Sequence, residues 1–159
     1  MTICRSWRVL VLLACLGVMA LHAPQATADT PSVFRGATYL ITITDAQGAF
    51  ASQSVITLHG DRTLAAIDST QGGPNTFFSS YLGAWKPDGK GGAVGRTLNF
   101  DFPPHAAVAR TDYTFTFSDN DTQVSGTITV RTFPLQGDPL DGDGTLLGEF
   151  TFTGTRVIP

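Results

Sequence analysis

Asp138-Pro139-Leu140-Asp141-Gly142-Asp143-Gly144 is the stretch of this sequence whose spacing suits an oxygen-ligand loop, with acids alternating around glycine. Hard cations such as calcium are held by carboxylates and carbonyls that a tight turn brings together. With Gly144 as the turn glycine, however, the twelfth position of an EF-hand falls on Phe150 instead of an acid. The stretch therefore reads as a solvated turn, and no metal ligand is assigned. Past residue 28 the histidines are His59 and His105, with no cysteine beside them, so a transition-metal set within one chain is not expected. The sequence has no Gly-x-Ser-x-Gly elbow, no His-Glu-x-x-His and no phosphate-cradling glycine loop. Glu149, the only glutamate, is out of phase with Phe150 and Phe152. Paired carboxylates would have to come from Asp45, Asp68 and the 138–143 run, and the general base from His105 after Pro103-Pro104. These residues assign no catalytic group and call for no cofactor. They leave one enzymatic alternative, a cofactor-free isomerase or cyclase that shapes an apolar substrate in a cavity.

What must position such residues follows from composition and pattern. The chain has 159 residues, 42% hydrophobic, with 10 Lys+Arg against 13 Asp+Glu and a net charge of −3. That balance suits one globular domain and excludes the basic face of a nucleic-acid binder. Arg5 and Arg8, the apolar run 9–21 and Ala26-Thr27-Ala28 have the order of a secretory signal peptide cleaved after Ala28. The apolar run is shorter than the roughly 20 residues of a membrane span. Residues 1–28 are thus expected to be removed and 29–159 to form one domain, secreted or periplasmic. The alternative is a lipoprotein, since Leu12-Leu13-Ala14-Cys15 resembles a lipobox. Cys4 and Cys15 both precede Asp29, so the mature domain carries no thiol into an oxidising compartment and depends on packing.

Beyond Asp29 the apolar residues recur with period two, the signature of half-buried strands. Tyr39, Ile41 and Ile43 mark the first strand; 53–59 and 62–68 form a hairpin about Gly60-Asp61. The fourth is 77–86, and Val94, Leu98, Phe100 and Phe102 mark the fifth. Segments 110–118, 123–133 and 147–157 complete a set of eight, with no convincing helical stripe. The opposite phase is rich in threonine, including Thr42, Thr44, Thr97, Thr114, Thr127 and Thr153, and reads as a solvated sheet surface. Eight strands joined mostly by short turns predict an all-β, antiparallel up-and-down barrel, which removes the exposed edges of an open sheet. A sandwich is the alternative.

In such a meander, connections alternate between the two ends. Those at 45–49, 69–76, 103–109 and 134–146 share one end, and three of them are long, so this end is expected to be a mouth ringed by loops. Tyr39, Trp85, Arg96 and Arg156 fall at the other end and form a candidate structural plug, each arginine in phase with apolar neighbours. An anion-binding arginine is the functional alternative.

Gly36-Ala37-Thr38-Tyr39 and Thr111-Asp112-Tyr113 resemble the Gly-x-Trp opening and the Thr-Asp-Tyr triplet of the calycins, the lipocalin-type barrels, with Arg131 or Arg156 as the late arginine. Leu82-Gly83-Ala84-Trp85-Lys86 is also similar to small exported bacterial barrels. The first-strand tryptophan and the C-terminal helix of lipocalins are absent, and Thr-Asp-Tyr opens the sixth strand instead of the seventh. The resemblance implies an eight-stranded barrel. From the residues themselves, Ile41, Ile43, Ile56, Leu98, Phe100, Phe115, Ile128 and Phe150 are expected to line an apolar interior, with Ser79 and Tyr81 as polar pegs. Adding His105 and Tyr113 gives the candidate ligand contacts: Ile43, Ser79, Tyr81, Phe100, His105, Tyr113, Phe115 and Ile128. The partner this suggests is a small apolar ligand, with an interaction module or a filled structural core as alternatives.

Overall fold

In the computed structural model the described residues are 36–72, 77–118 and 120–159. The expected signal peptide, its cleavage point and Cys15 lie outside them. Eight strands run in sequence order: β1 Gly36–Thr44, β2 Phe50–His59, β3 Thr63–Asp68, β4 Tyr81–Pro87, β5 Ala93–Asp101, β6 Ala107–Phe117, β7 Gln123–Phe133 and β8 Thr145–Arg156. Each pairs antiparallel with the next, and β1 closes on β8. The all-β up-and-down barrel expected from the strand rhythm is present, and the sandwich is not. Among the described residues no helix is long and apolar enough to cross a membrane.

Closure works because large inward side chains face small ones across the ladders. Tyr113 is opposite Gly95, Phe115 opposite Ala93 and Gly126, and Phe152 opposite Gly126. A methyl group on Gly126 would overlap the Thr114 carbonyl and the Phe152 ring. One end is packed solid: Tyr39, Leu58, Leu64, Trp85, Phe115, Val124 and Phe152 are buried in a single cluster. The Tyr39 hydroxyl donates to the Asp121 carbonyl at 3.0 Å. Trp85 Nε1 donates to the His59 carbonyl at 2.9 Å, and the Arg62 guanidinium lies 4.4 Å over its ring. The hairpin there has three loop residues instead of the two expected. Arg62 takes φ 76° and donates its N–H to the His59 carbonyl, while the Asp61 carboxylate accepts from Thr63. Stacking on Trp85 holds arginine in a backbone region that usually belongs to glycine.

Two expectations about the wall are corrected. β5 presents Thr97, Asn99 and Asp101 inward and Leu98 and Phe100 outward, because its register pairs Phe100 with Val108 and Leu98 with Arg110 on the outer face. Phe100 is 56% exposed. The opposite phase would set bulky side chains against Tyr113 and Phe115, where only Gly95 and Ala93 fit. Arg96 accordingly points outward, paired with Asp112, and Thr97 is buried instead of solvated. With Leu40, Val55, Ile67 and Leu82, Phe100 makes the outer wall of β1–β5 apolar. Elsewhere the outer face carries threonine pairs such as Thr114–Thr127 and Thr44–Thr151.

The longest connection also departs from expectation. Instead of ringing the mouth, residues 134–144 fold back over the outer wall. Arg110, outward on β6, donates to the carbonyls of Pro139 and Gly142, lies 5.1 Å from the Phe133 ring and pairs with Asp112 at 3.1 Å. Arg131 adds a bond to the Asp143 carbonyl. A charged donor shared by two carbonyls is worth about 1.5–3 kcal/mol per bond, so Arg110→Ala should release the loop and leave the barrel closed. Limited proteolysis should then cut within 134–144 at least about ten times faster, with unchanged far-UV circular dichroism. An unchanged cleavage rate would contradict this role.

Candidate functional site

Above the packed end the interior opens. A cavity of about 250 Å³ is lined by Ile41, Ile43, Ser52, Ser54, Asp68, Tyr81, Thr111, Tyr113, Ile128, Val130 and Phe150, among others. It adjoins a cleft of about 630 Å³ at the mouth, which shares Phe78, Tyr81, Val130 and Phe150 with it and adds Asn99, Asp101 and His105. The two walls differ in chemistry. Strands β1, β7 and β8 contribute Ile41, Ile43, Ile128, Val130 and Phe150, all apolar. Strands β2 to β6 contribute hydroxyls, an amide and two carboxylates. The site is therefore two-sided, as pockets for partly polar small molecules are.

The polar wall is only partly satisfied within the protein. Asp68 accepts from Ser52 Oγ at 2.8 Å and from the backbone N–H and hydroxyl of Thr70 at 2.8 and 2.6 Å, so its two oxygens are well supplied. Ser54 Oγ donates to the Ile67 carbonyl. By contrast, Thr97 Oγ1, Thr111 Oγ1 and Asn99 Oδ1 are buried without a hydrogen-bond partner. The two threonine hydroxyls lie near the Tyr113 phenol but fall short of bonding geometry. Asn99 Nδ2 donates to Asp101 at 3.2 Å, which fixes the amide orientation beside the cleft that both residues line. An unpaired buried polar atom costs about 1–3 kcal/mol, so three on β5 and β6 are a local cost that the fold carries beside the lumen.

Burial dominates the electrostatics. It raises the Asp101 carboxyl pKa against the opposing bond from Asn99. It raises the Tyr81 phenol far above its usual range, helped by the charges of Tyr113, Asp68 and Asp101. Tyr39 and Tyr113 are each pushed up to about 12, again by burial first. A phenol ionises at about 10 in an unfolded chain, so this stabilisation is complete below that pH and is lost as pH climbs through the folded value. All three tyrosines of the chain are involved. Tyrosinate absorbance should therefore appear only together with unfolding, between about pH 10 and 12. Absorbance rising near pH 10 with the barrel intact would contradict the burial.

Of the residues singled out in the sequence, Ile43, Tyr81, Tyr113 and Ile128 line the inner cavity, and His105 lines the mouth cleft. Phe115 lies in the packed cluster, stacked 5.6 Å from Tyr113. Ser79 is a backbone clasp, its Oγ accepting from the Phe100 N–H at 2.9 Å, and Phe100 points away. That clasp continues the ladder before β4, whose regular part starts at Tyr81 instead of Phe77. Tyr39 and Trp85 sit in the packed end, where Arg156 pairs with Tyr39 across the ladder and Arg96 does not reach the interior. Asp68, one of the candidate carboxylates, lines the inner cavity, whereas Ser52, Ser54, Asn99, Asp101 and Thr111 were not singled out as site residues. Their signal was a polar period of two on strands whose other phase is equally apolar. His105 and Asp101 line the same cleft, where imidazole and carboxyl could both exchange protons with a guest. Among the described residues no three His, Cys, Asp or Glu side chains gather as a metal site. No protein-family model matches the chain, and neither the curated proteins nor the solved structures return a match.

Proposed function

We propose that this chain is an exported, calycin-like barrel that binds a small, mainly apolar molecule in its lumen, with one polar group of the guest held at the β5–β6 wall. The observation that carries this reading is the half-open interior, in which an apolar wall faces one of hydroxyls, an amide and two carboxylates. A filled structural core would leave no such space. The combined space of cavity and cleft suits a guest of drug-like size. Native mass spectrometry of the protein purified from its own host tests the reading. A lipophilic mass that leaves on denaturation is expected, and its absence from repeated preparations would count against it. The second reading, an interaction module, is favoured by the apolar outer wall of Leu40, Val55, Ile67, Leu82 and Phe100. It predicts concentration-dependent association in sedimentation that Leu82→Lys abolishes.

A further inference from the structure

The charge around the lumen restricts which amphiphile it accepts. Among the described residues no lysine or arginine lines either the cavity or the cleft, whereas Asp68 and Asp101 do. The basic residues nearest this end, Arg110 and Arg131, are on the outer wall and engaged with the 134–144 loop. The 45–49 loop of the same end adds Asp45. A carboxylate-bearing guest would bring a like charge into a negative, partly dry mouth, where desolvation strengthens the repulsion.

The two acids are not equivalent. Asp68 is already served by Ser52 and Thr70. Asp101, at the cleft, accepts one neutral bond, from Asn99, and among the described residues is in no ion pair with lysine or arginine, with His105 the basic side chain lining the same cleft. Next to it Asn99 Oδ1, on a residue only 3% exposed, is an acceptor without a donor. One charged acceptor, oriented by Asn99 Nδ2, thus stands at the wet end of an apolar shaft. We propose that the guest is a cationic amphiphile, its protonated amine seated on Asp101 and its apolar body extending inward along Ile43, Ile128, Val130 and Phe150. An ammonium has three donors and no acceptor, which suits a carboxylate with lone pairs to spare, and a head at the mouth with a tail inside keeps most of its hydration. Burial already raises the Asp101 pKa, the response of a carboxylate short of a counter-charge.

This inference rests on the lumen being the binding site, and the experiment separates the two. Octylammonium, 1-octanol and octanoate share one tail and differ in the charge of the head. Titration calorimetry at neutral pH should give octylammonium at least about ten times tighter than octanol, and octanoate weakest. In Asp101→Asn the ammonium should fall to within about threefold of octanol, while octanol itself changes by less than about twofold. Asn99→Leu, which keeps the carboxylate and removes the bond that orients it, should lower the ammonium preference by a smaller factor, and circular dichroism shows whether each variant is folded. Octanol binding as tightly as the ammonium, or an ammonium preference that survives in folded Asp101→Asn, overturns the cationic head and leaves the lumen site standing. Failure of all three probes to bind overturns both.

Discussion

Trp85→Ala is expected to lower the unfolding free energy by about 3–5 kcal/mol, the range for deleting a buried tryptophan. Trp85 is only 4% exposed and is the bulkiest side chain of the packed end. Three separate interactions go with it: the indole bond to the His59 carbonyl, the Arg62 guanidinium over the ring, and contacts within the cluster around Leu64 and Phe115. The first leaves the His59 carbonyl with the Arg62 N–H as its remaining donor. The second removes what holds Arg62 at φ 76°, so the β2–β3 hairpin should loosen as well. Gly83 and Gly95 on neighbouring wall positions cannot swing in to fill the space, so the loss is a true cavity. Urea unfolding followed by circular dichroism measures the change. A loss below about 1 kcal/mol would mean that this end is not the packed closure described.

Val130→Trp is expected to do the opposite, abolishing binding while sparing the fold. Val130 is half-buried and lines both the inner cavity and the mouth cleft, so an indole there would stand in the passage between them. Overfilling a tight core costs about 1–3 kcal/mol, and the open side of this position should keep the loss at the lower end. Affinity for an apolar probe such as 1-octanol should fall at least about 100-fold, the equivalent of about 2.7 kcal/mol. Unchanged affinity in a folded variant would place the probe somewhere other than the lumen. Together the two substitutions separate an end that carries stability from an end that carries binding.

The barrel was legible in the sequence because turn residues and period two agree along the whole chain. Gly60-Asp61, Pro87-Asp88-Gly89 and Asn120-Asp121 each punctuate an alternating run, and a meander of consecutive neighbours is the simplest closure of such runs. The facing of β1 and β6 was plainer, since Tyr39-x-Ile41-x-Ile43 and Tyr113-x-Phe115 alternate with mostly polar residues, Leu40 being the exception. That of β5 was harder to read. There Leu98 and Phe100 compete with Thr97 and Asn99, and apolarity alone sends the wrong pair inside. The outcome was set by volume across the ladder, with Gly95 and Ala93 opposite Tyr113 and Phe115, a condition on strand pairing that no single strand displays. The polar half of the site was lost with that phase, because Asn99 and Asp101 follow it. The outward fold of 134–144 depends on Arg110, whose anchoring carbonyls come from backbone and have no residue signature.

The central claim is that a guest enters the lumen and does not cling to the apolar outer wall. Isoleucine methyl groups report on both: Ile41, Ile43 and Ile128 line the cavity, while Ile67 and Ile158 are exposed outside. Methyl-labelled NMR spectra recorded with rising 1-octanol should show saturable shifts and intermolecular nuclear Overhauser contacts at the first three, with Ile67 and Ile158 unmoved. Shifts confined to Ile67 and Ile158, with Ile41, Ile43 and Ile128 silent, would contradict a lumen site.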